Sequence, residues 1–227
     1  MSAEVYQPGE RRPIASRDRK ASQWAARVLA GWGVSANAIS IAGLFGGVAA
    51  GATLAATPFA DGWERPAWLA AAVFIQLRLL ANMLDGMLAI ASGQASAVGE
   101  LYNEVPDRIS DAATLVGLGY ALGGHVALGF TAACVALFTA YVRAMGKVAG
   151  AGQEFCGPMA KPQRMFVATV VALYCGLTPE SWQPRWNLTQ PAIGLPAIAL
   201  LLIIVGGLAT ALRRLVRIAR TLMKGHS

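Results

Sequence analysis

A chain of 227 residues with 56% hydrophobic residues, 14% charged residues and a mean hydropathy of +0.49 is too apolar for an ordinary soluble domain. The net charge is +7, but the basic residues stand at the ends of apolar runs and not along a polar stripe, which argues against a nucleic-acid surface and for membrane orientation. Cys134, Cys156 and Cys175 are widely spaced in or beside apolar segments, form neither a metal-type pair nor a disulfide framework, and read as packing residues.

Residues 1–20 are polar and basic (Arg11, Arg12, Arg17, Arg19, Lys20) and lack the early apolar core of a cleavable signal peptide, which predicts a cytoplasmic N-terminus. From 21 to 33, Trp24, Val28, Leu29 and Trp32 fall close to one helical face with Arg27 off it. That pattern predicts an amphipathic helix lying in the membrane interface, against the alternative of an extension of the first span. Ser35 and Asn37 offer N-cap chemistry ahead of the uncharged run 38–57, whose length matches the ~20 residues that cross a hydrocarbon core. Pro58, Asp61, Glu64, Arg65 and Pro66 make an outer turn before a second span at 68–91. A third span is predicted at 98–122, acidic in its first half and plainly apolar from Thr114 on. Gly123, Gly124 and His125 turn the chain outside, with His125 read as a loop residue.

A fourth span at 126–145 ends in Arg143 and Lys147, and a Gly-rich segment leads through Gly157 and Pro158 to a fifth at 162–177. Trp182, Pro184, Arg185 and Trp186 suit an outer interface, and a sixth span at 191–212 runs into Arg213, Arg214, Arg217, Arg220 and Lys224. The fold class is therefore all-α, a polytopic membrane protein with six transmembrane helices and an N-terminal interfacial helix. Residues 1–33 form the basic N-terminus and amphipathic helix, and 34–227 form one membrane domain. With six spans, only Arg65 and Arg185 of the 19 Lys and Arg lie outside, so both termini are expected in the cytoplasm.

Five of the twelve carboxylates (Asp85, Glu100, Glu104, Asp107, Asp111) fall between residues 82 and 111. Positions 103, 107 and 111 share one helical face, Glu100 and Glu104 lie on the adjoining strip, and Asn82 and Asp85 do the same on the preceding helix. Two oxygen-rich helical edges joined by a small-residue turn around Gly93 suit a hard divalent cation. The expected placement is the cytoplasmic ends of the second and third spans, where ionisable groups reach an aqueous cleft.

This stretch resembles the CDP-alcohol phosphotransferases, integral membrane enzymes of phospholipid synthesis, whose signature reads D-x2-D-G-x2-A-R-x8-G-x3-D-x3-D. The chain offers Asn82, Asp85, Gly86, Ala89, Ile90, Gly99, Asn103 and Asp107 with every gap preserved. The first and third aspartates are Asn82 and Asn103, and the arginine is Ile90.

The resemblance implies an enzyme of the bacterial inner membrane, a homodimer. It would transfer a phosphatidyl or related group from CDP-diacylglycerol, or a related CDP-linked donor, to a small alcohol, itself possibly phosphorylated, with release of CMP. It implies Mg²⁺ or Mn²⁺ held by Asn82, Asp85, Asn103 and Asp107, with Glu104 returning a charge. Gly86, Ala89 and Gly99, with Asp85, would line the CDP site. Asp107 is the implied general base, which deprotonates the acceptor hydroxyl for attack on the lipid-bearing phosphorus. Arg78 or Arg108 would stand in for the arginine missing at Ile90, and Arg108, Arg143, Lys161 and Arg164 would hold an acceptor phosphate. Lys161 and Arg164 also read as plain orientation charges, and Asp111 as a partner for Arg108 or for a neighbouring helix. The alternatives to the enzyme are an inactive lipid- or nucleotide-binding relative and a small transporter. Acidic groups crowded at one face argue against the transporter, which would place them near mid-membrane in broken, repeated spans.

Overall fold

The computed structural model describes residues 20–91, 97–187 and 192–224. Within these, seven helices follow one another: α1 (Lys20–Gly31), α2 (Ala36–Ala56), α3 (Glu64–Ala91), α4 (Ala97–Tyr120), α5 (Val126–Val148), α6 (Lys161–Leu177) and α7 (Leu195–Lys224). The basic segment 1–19, the turn around Gly93 and the residues Gln190 and Pro191 lie outside the described residues.

Four helical stretches are long and apolar enough to cross a membrane: Ala36–Phe59, Glu64–Ala89, Val126–Val148 and Leu195–Lys224. α4 is not among them because its first half carries the acidic cluster, and α6 has only 17 residues. Large apolar side chains stand exposed on the outer faces of the spans, among them Phe45 (69%), Val205 (66%) and Leu212 (64%). A water-facing bundle would bury such groups; a lipid-facing one need not.

α2 begins where Ser35 caps it, its side chain accepting a hydrogen bond from the Ala38 amide at 3.2 Å. Its buried face is a stripe of small residues, Ser40, Gly43, Gly47 and Gly51. A Cβ on Gly117 of α4 would meet the Gly51 Cα at 2.6 Å, so the backbones of α2 and α4 touch there. α2 also packs on α3, so one small-residue helix fixes both walls of the acidic region. Around this seam α4 packs on α5, α5 on α7 and α3 on α6, over a core that includes Trp68, Ile75, Leu115, Leu118, Leu200 and Ile203.

At the opposite end, β1 (Arg185–Trp186) and β2 (Ile193–Gly194) pair antiparallel, Arg185 with Gly194 and Trp186 with Ile193. The Gly194 amide bonds the carbonyl of Gly123 at 2.7 Å, which ties this loop to the α4–α5 turn. Gly123 adopts φ +78, a left-handed value that glycine reaches without strain. Arg65 donates to the carbonyls of Gly176 (3.1 Å) and Leu177 (3.0 Å), closing the C-terminal end of α6. His125 immediately precedes α5 at its N-cap position.

The last helix runs to Lys224, well past the predicted end at residue 212. Arginine is a good helix former, so a charge run after a span extends the helix and does not end it.

Candidate active site

α3 and α4, the helices found where the second and third spans are expected, bring their oxygen-bearing edges together. Asp85, 2% exposed on α3, accepts a hydrogen bond through Oδ1 from Asn103 Nδ2 of α4 at 3.4 Å. Its Oδ2 accepts one from Ser40 Oγ of α2 at 2.6 Å, the short length of a hydroxyl bonded to a charged acceptor. Three helices thus meet at one carboxylate.

Asp107, one turn beyond Asn103, lies within electrostatic reach of Asp85 and is gripped by cations. Its Oδ1 accepts from Arg78 Nη2 of α3 and from Lys161 Nζ of α6, the latter at 2.5 Å. Its Oδ2 faces Arg108 Nη2 at 3.7 Å. Arg78 is 3% exposed and is held by a second bond, from Nε to Ser110 Oγ at 3.0 Å. Ser110 in turn donates to the carbonyl of Pro106 at 2.7 Å. Pro106 takes one backbone donor out of the middle of α4, so the helix at this point leans on side-chain contacts.

A second, more exposed layer surrounds Glu104. Glu104 joins Arg108 (3.0 Å) and Arg143 of α5 (2.6 Å), and Arg143 also lies over the Phe155 ring, 5.5 Å from its centroid. Glu104 is therefore committed to the basic pair and does not turn toward Asp85. Arg164 does not join this layer either. It is 2% exposed and bonds Asp111 Oδ2 at 2.5 Å and the Met159 carbonyl at 3.1 Å. The open reading of Asp111 resolves as a partner for a neighbouring helix. Gly86 is buried, and Asn82, Ala89 and Gly99 are half-buried, where α3 ends and α4 begins. The side chains of Ile90 and Glu100 lie outside the described residues.

Three residues of this region carry no mark in the family signature. Ser40 and Ser110 position Asp85 and Arg78; the signal for Ser40 was a lone hydroxyl on the small-residue stripe of a span, which must find a partner in a dry interface. Arg214, grouped with the tail charges, is 5% exposed and donates to the carbonyls of Cys156 (3.0 Å) and Thr139 (2.7 Å). It holds the α5–α6 segment beside the site. Burial and the Glu154 carboxylate push the Cys156 thiol up from its usual range, which favours the neutral thiol.

Among the described residues no three acidic, histidine or cysteine groups converge on one point. The oxygen donors that α3 and α4 offer a cation here are the carboxylates of Asp85 and Asp107 and the amide oxygens of Asn82 and Asn103. All four are hard oxygen donors and suit Mg²⁺ or Mn²⁺ in kind, with two negative charges among them. The Asn103–Asp85 bond is long enough that both groups can turn an oxygen elsewhere at small cost.

The family model described as CDP-alcohol phosphatidyltransferase matches residues 33–222. Phosphatidylinositol phosphate synthase of Streptomyces avermitilis is 27% identical over 194 residues, which cover 83% of this chain and 73% of that protein. Archaetidylinositol phosphate synthase of Pyrococcus horikoshii is 29% identical over 106 residues, 46% of this chain and 55% of that protein. The fold is similar to the crystal structure of Mycobacterium tuberculosis phosphatidylinositol phosphate synthase with CDP-DAG bound, at a TM-score of 0.67 and 21% identity, over 88% of this chain and 94% of that one. The structure of the same enzyme with manganese and citrate also gives 0.67 and 21%, over 87% and 88%.

Proposed function

Because the chain belongs to the CDP-alcohol phosphatidyltransferase family, we propose that it transfers a phosphatidyl group from CDP-diacylglycerol to a phosphorylated small alcohol, with Asp107 as general base. Membership carries the coarser activity: a metal-dependent membrane enzyme that moves a phosphatidyl group from a CDP-linked donor to an alcohol and releases CMP. The single observation behind the finer reading is that Asp85 and Asp107 lie within electrostatic reach of each other beside a group of cations, Arg78, Arg108 and Lys161 around Asp107 and Arg143 joined through Glu104. Diphosphate donor and phosphorylated acceptor both need such cations.

The donor assignment draws on the solved structure with CDP-DAG bound, and the acceptor class on two relatives named for inositol phosphate lipids. When bound, a divalent cation supplies neutralisation of the donor diphosphate. Gly86 and Gly99, with Ala89, leave room for the cytidine side of the donor against the helix backbones. Arg108, Arg143 and Lys161 orient the acceptor phosphate, while Arg164, locked to Asp111, supports the wall beneath them. Asp107 Oδ2, which faces away from the Arg78 and Lys161 contacts, takes the proton of the acceptor hydroxyl. The hydroxyl oxygen bonds to the lipid-bearing phosphorus as the bond from phosphorus to the CMP oxygen breaks.

The same reading places α4 and α6 across the membrane as well, making six spans, with their charged residues turned toward the bundle interior. α1, with Trp24 63% and Trp32 76% exposed, lies in the interface. The basic excess then sets both termini on the cytoplasmic side of a bacterial inner membrane.

The test is CMP release from CDP-diacylglycerol by the purified protein with Mg²⁺ or Mn²⁺, offered inositol phosphate, inositol or no acceptor, alongside Asp107→Asn. Release by the wild type only with the phosphorylated acceptor, and its loss in the variant, is the expected result. Equal release with inositol would overturn the acceptor assignment, and equal release by the variant would overturn Asp107 as base.

A further inference from the structure

Asp107 is held by two cations of unlike character. Arg78 is buried, its guanidinium fixed on Ser110 at 3.0 Å, and a Cβ on Gly43 would come within 2.5 Å of its Nη1, so it has no room to leave. Lys161 reaches the same Asp107 oxygen from the first residue of α6, half-buried. Among the described residues its ammonium bonds only Asp107. It stands at the positive end of a helix dipole, where a cation is disfavoured unless a carboxylate faces it. Four flexible methylenes let the ammonium swing away, unlike the fixed fork of an arginine.

Charge counting sharpens the contrast. The linked cluster holds Arg78, Arg108, Arg143 and Lys161 against Asp85, Glu104 and Asp107, four positive groups to three negative. A dication added to that set meets net repulsion, and Asp107 Oδ1 already accepts from both Arg78 and Lys161. With Asn82 and Asn103 neutral, no further carboxylate of the motif offsets the surplus.

We infer that Lys161 is a displaceable counter-ion: it occupies Asp107 Oδ1 in place of a divalent cation, and metal loads only as the ammonium withdraws, while Arg78 stays. The inference rests on the proposed reading of Asp85 and Asp107 as the metal-holding pair. Once displaced, Lys161 is at hand for a phosphate oxygen, which couples metal loading to the arrival of an anionic ligand.

The test uses full-length protein in detergent, titrated with Mn²⁺ alone while free Mn²⁺ is followed by electron paramagnetic resonance. Lys161→Met is expected to bind Mn²⁺ at least about tenfold more tightly than wild type, the change one removed unit of charge competition of ~1.4 kcal/mol would give. Lys161→Arg, which keeps a cation at the position, is expected to stay within about threefold of wild type. Asp85→Ala should abolish binding in both backgrounds. Equal or weaker Mn²⁺ binding by Lys161→Met would overturn the counter-ion role while leaving the metal pair standing. Binding that survives Asp85→Ala, or none in any protein, would overturn the metal pair and the counter-ion role with it.

Discussion

Asp107 and Asp111 stand one helical turn apart on α4, and each faces an arginine from another helix, yet they are built for different tasks. Asp111 and Arg164 are both 2% exposed, and Arg164 Nη1 also donates to the Met159 carbonyl and Thr139 Oγ1. That pair is a clamp between α4 and α6. Asp107 is shared by Arg78 and Lys161, with Arg108 at 3.7 Å, and one of its holders is a half-buried lysine on a flexible stem. A single turn thus separates a carboxylate in a closed pair from one shared among several cations. The difference lies in the partners: Asp111 meets one arginine in a sealed interface, whereas Asp107 is shared among cations from α3, α4 and α6.

Substitution should separate the two positions. Asp107→Asn keeps an oxygen for Arg78 and Lys161 but removes the proposed base, so the turnover rate is expected to fall by roughly 10²–10⁴-fold with little change in thermal midpoint. CMP release and a melting curve on the same sample check both halves. Asp111→Ala should reverse the pattern. It leaves the Arg164 guanidinium buried and unpaired, at a cost of about 3–5 kcal/mol in unfolding free energy. The paired change Asp111→Leu with Arg164→Met should recover most of that loss, because an apolar pair of similar volume replaces the ions. If Asp111→Ala instead lost activity at unchanged stability, the distinction between clamp and site would fail.

Much of the fold was legible because a span declares itself by length and polarity. The helices at Ala36–Ala56, Val126–Val148 and Lys161–Leu177 begin within two residues of the predicted starts, where Ser35, the turn at His125 and the Ala160–Pro162 corner punctuate the chain. The far end of α7 was missed because arginine marks a membrane face and yet continues a helix. The partnerships in the site were not legible. Periodicity shows which residues share a helix face but not which helix lies opposite, and Arg78–Asp107, Ser40–Asp85 and Arg164–Asp111 join positions 29, 45 and 53 residues apart. Only the tertiary packing of α2, α3, α4 and α6 decides that Asp107 receives a lysine and Asp111 does not.

That packing turns on the α2–α4 seam, which supports the Asp107 layer more directly than the Asp111 clamp. Gly117→Ala would set a methyl group against the Gly51 backbone, where no flexible side chain can yield. The expected cost is about 1–3 kcal/mol of overpacking, read as a lower unfolding midpoint. The lost close approach should also loosen the Ser110–Arg78 contact and lower turnover, whereas the α4–α6 clamp at Asp111 should persist.

The smallest expected effect is at Ser40, whose hydroxyl donates to Asp85 Oδ2 at 2.6 Å from the opposite wall. Ser40→Ala removes a charge-assisted bond inside a buried contact, which typically contributes about 1.5–3 kcal/mol, partly offset because Asp85 still meets Asn103. If the bond aims Asp85 and does not merely stabilise the bundle, turnover should fall about tenfold, with Mn²⁺ affinity falling in parallel. Ser40→Thr keeps the hydroxyl on the same helical face and should restore both. A loss of stability without a change in Mn²⁺ affinity would place Ser40 with Asp111 among the structural contacts, and the boundary between the two regions would then run through Asp85 itself.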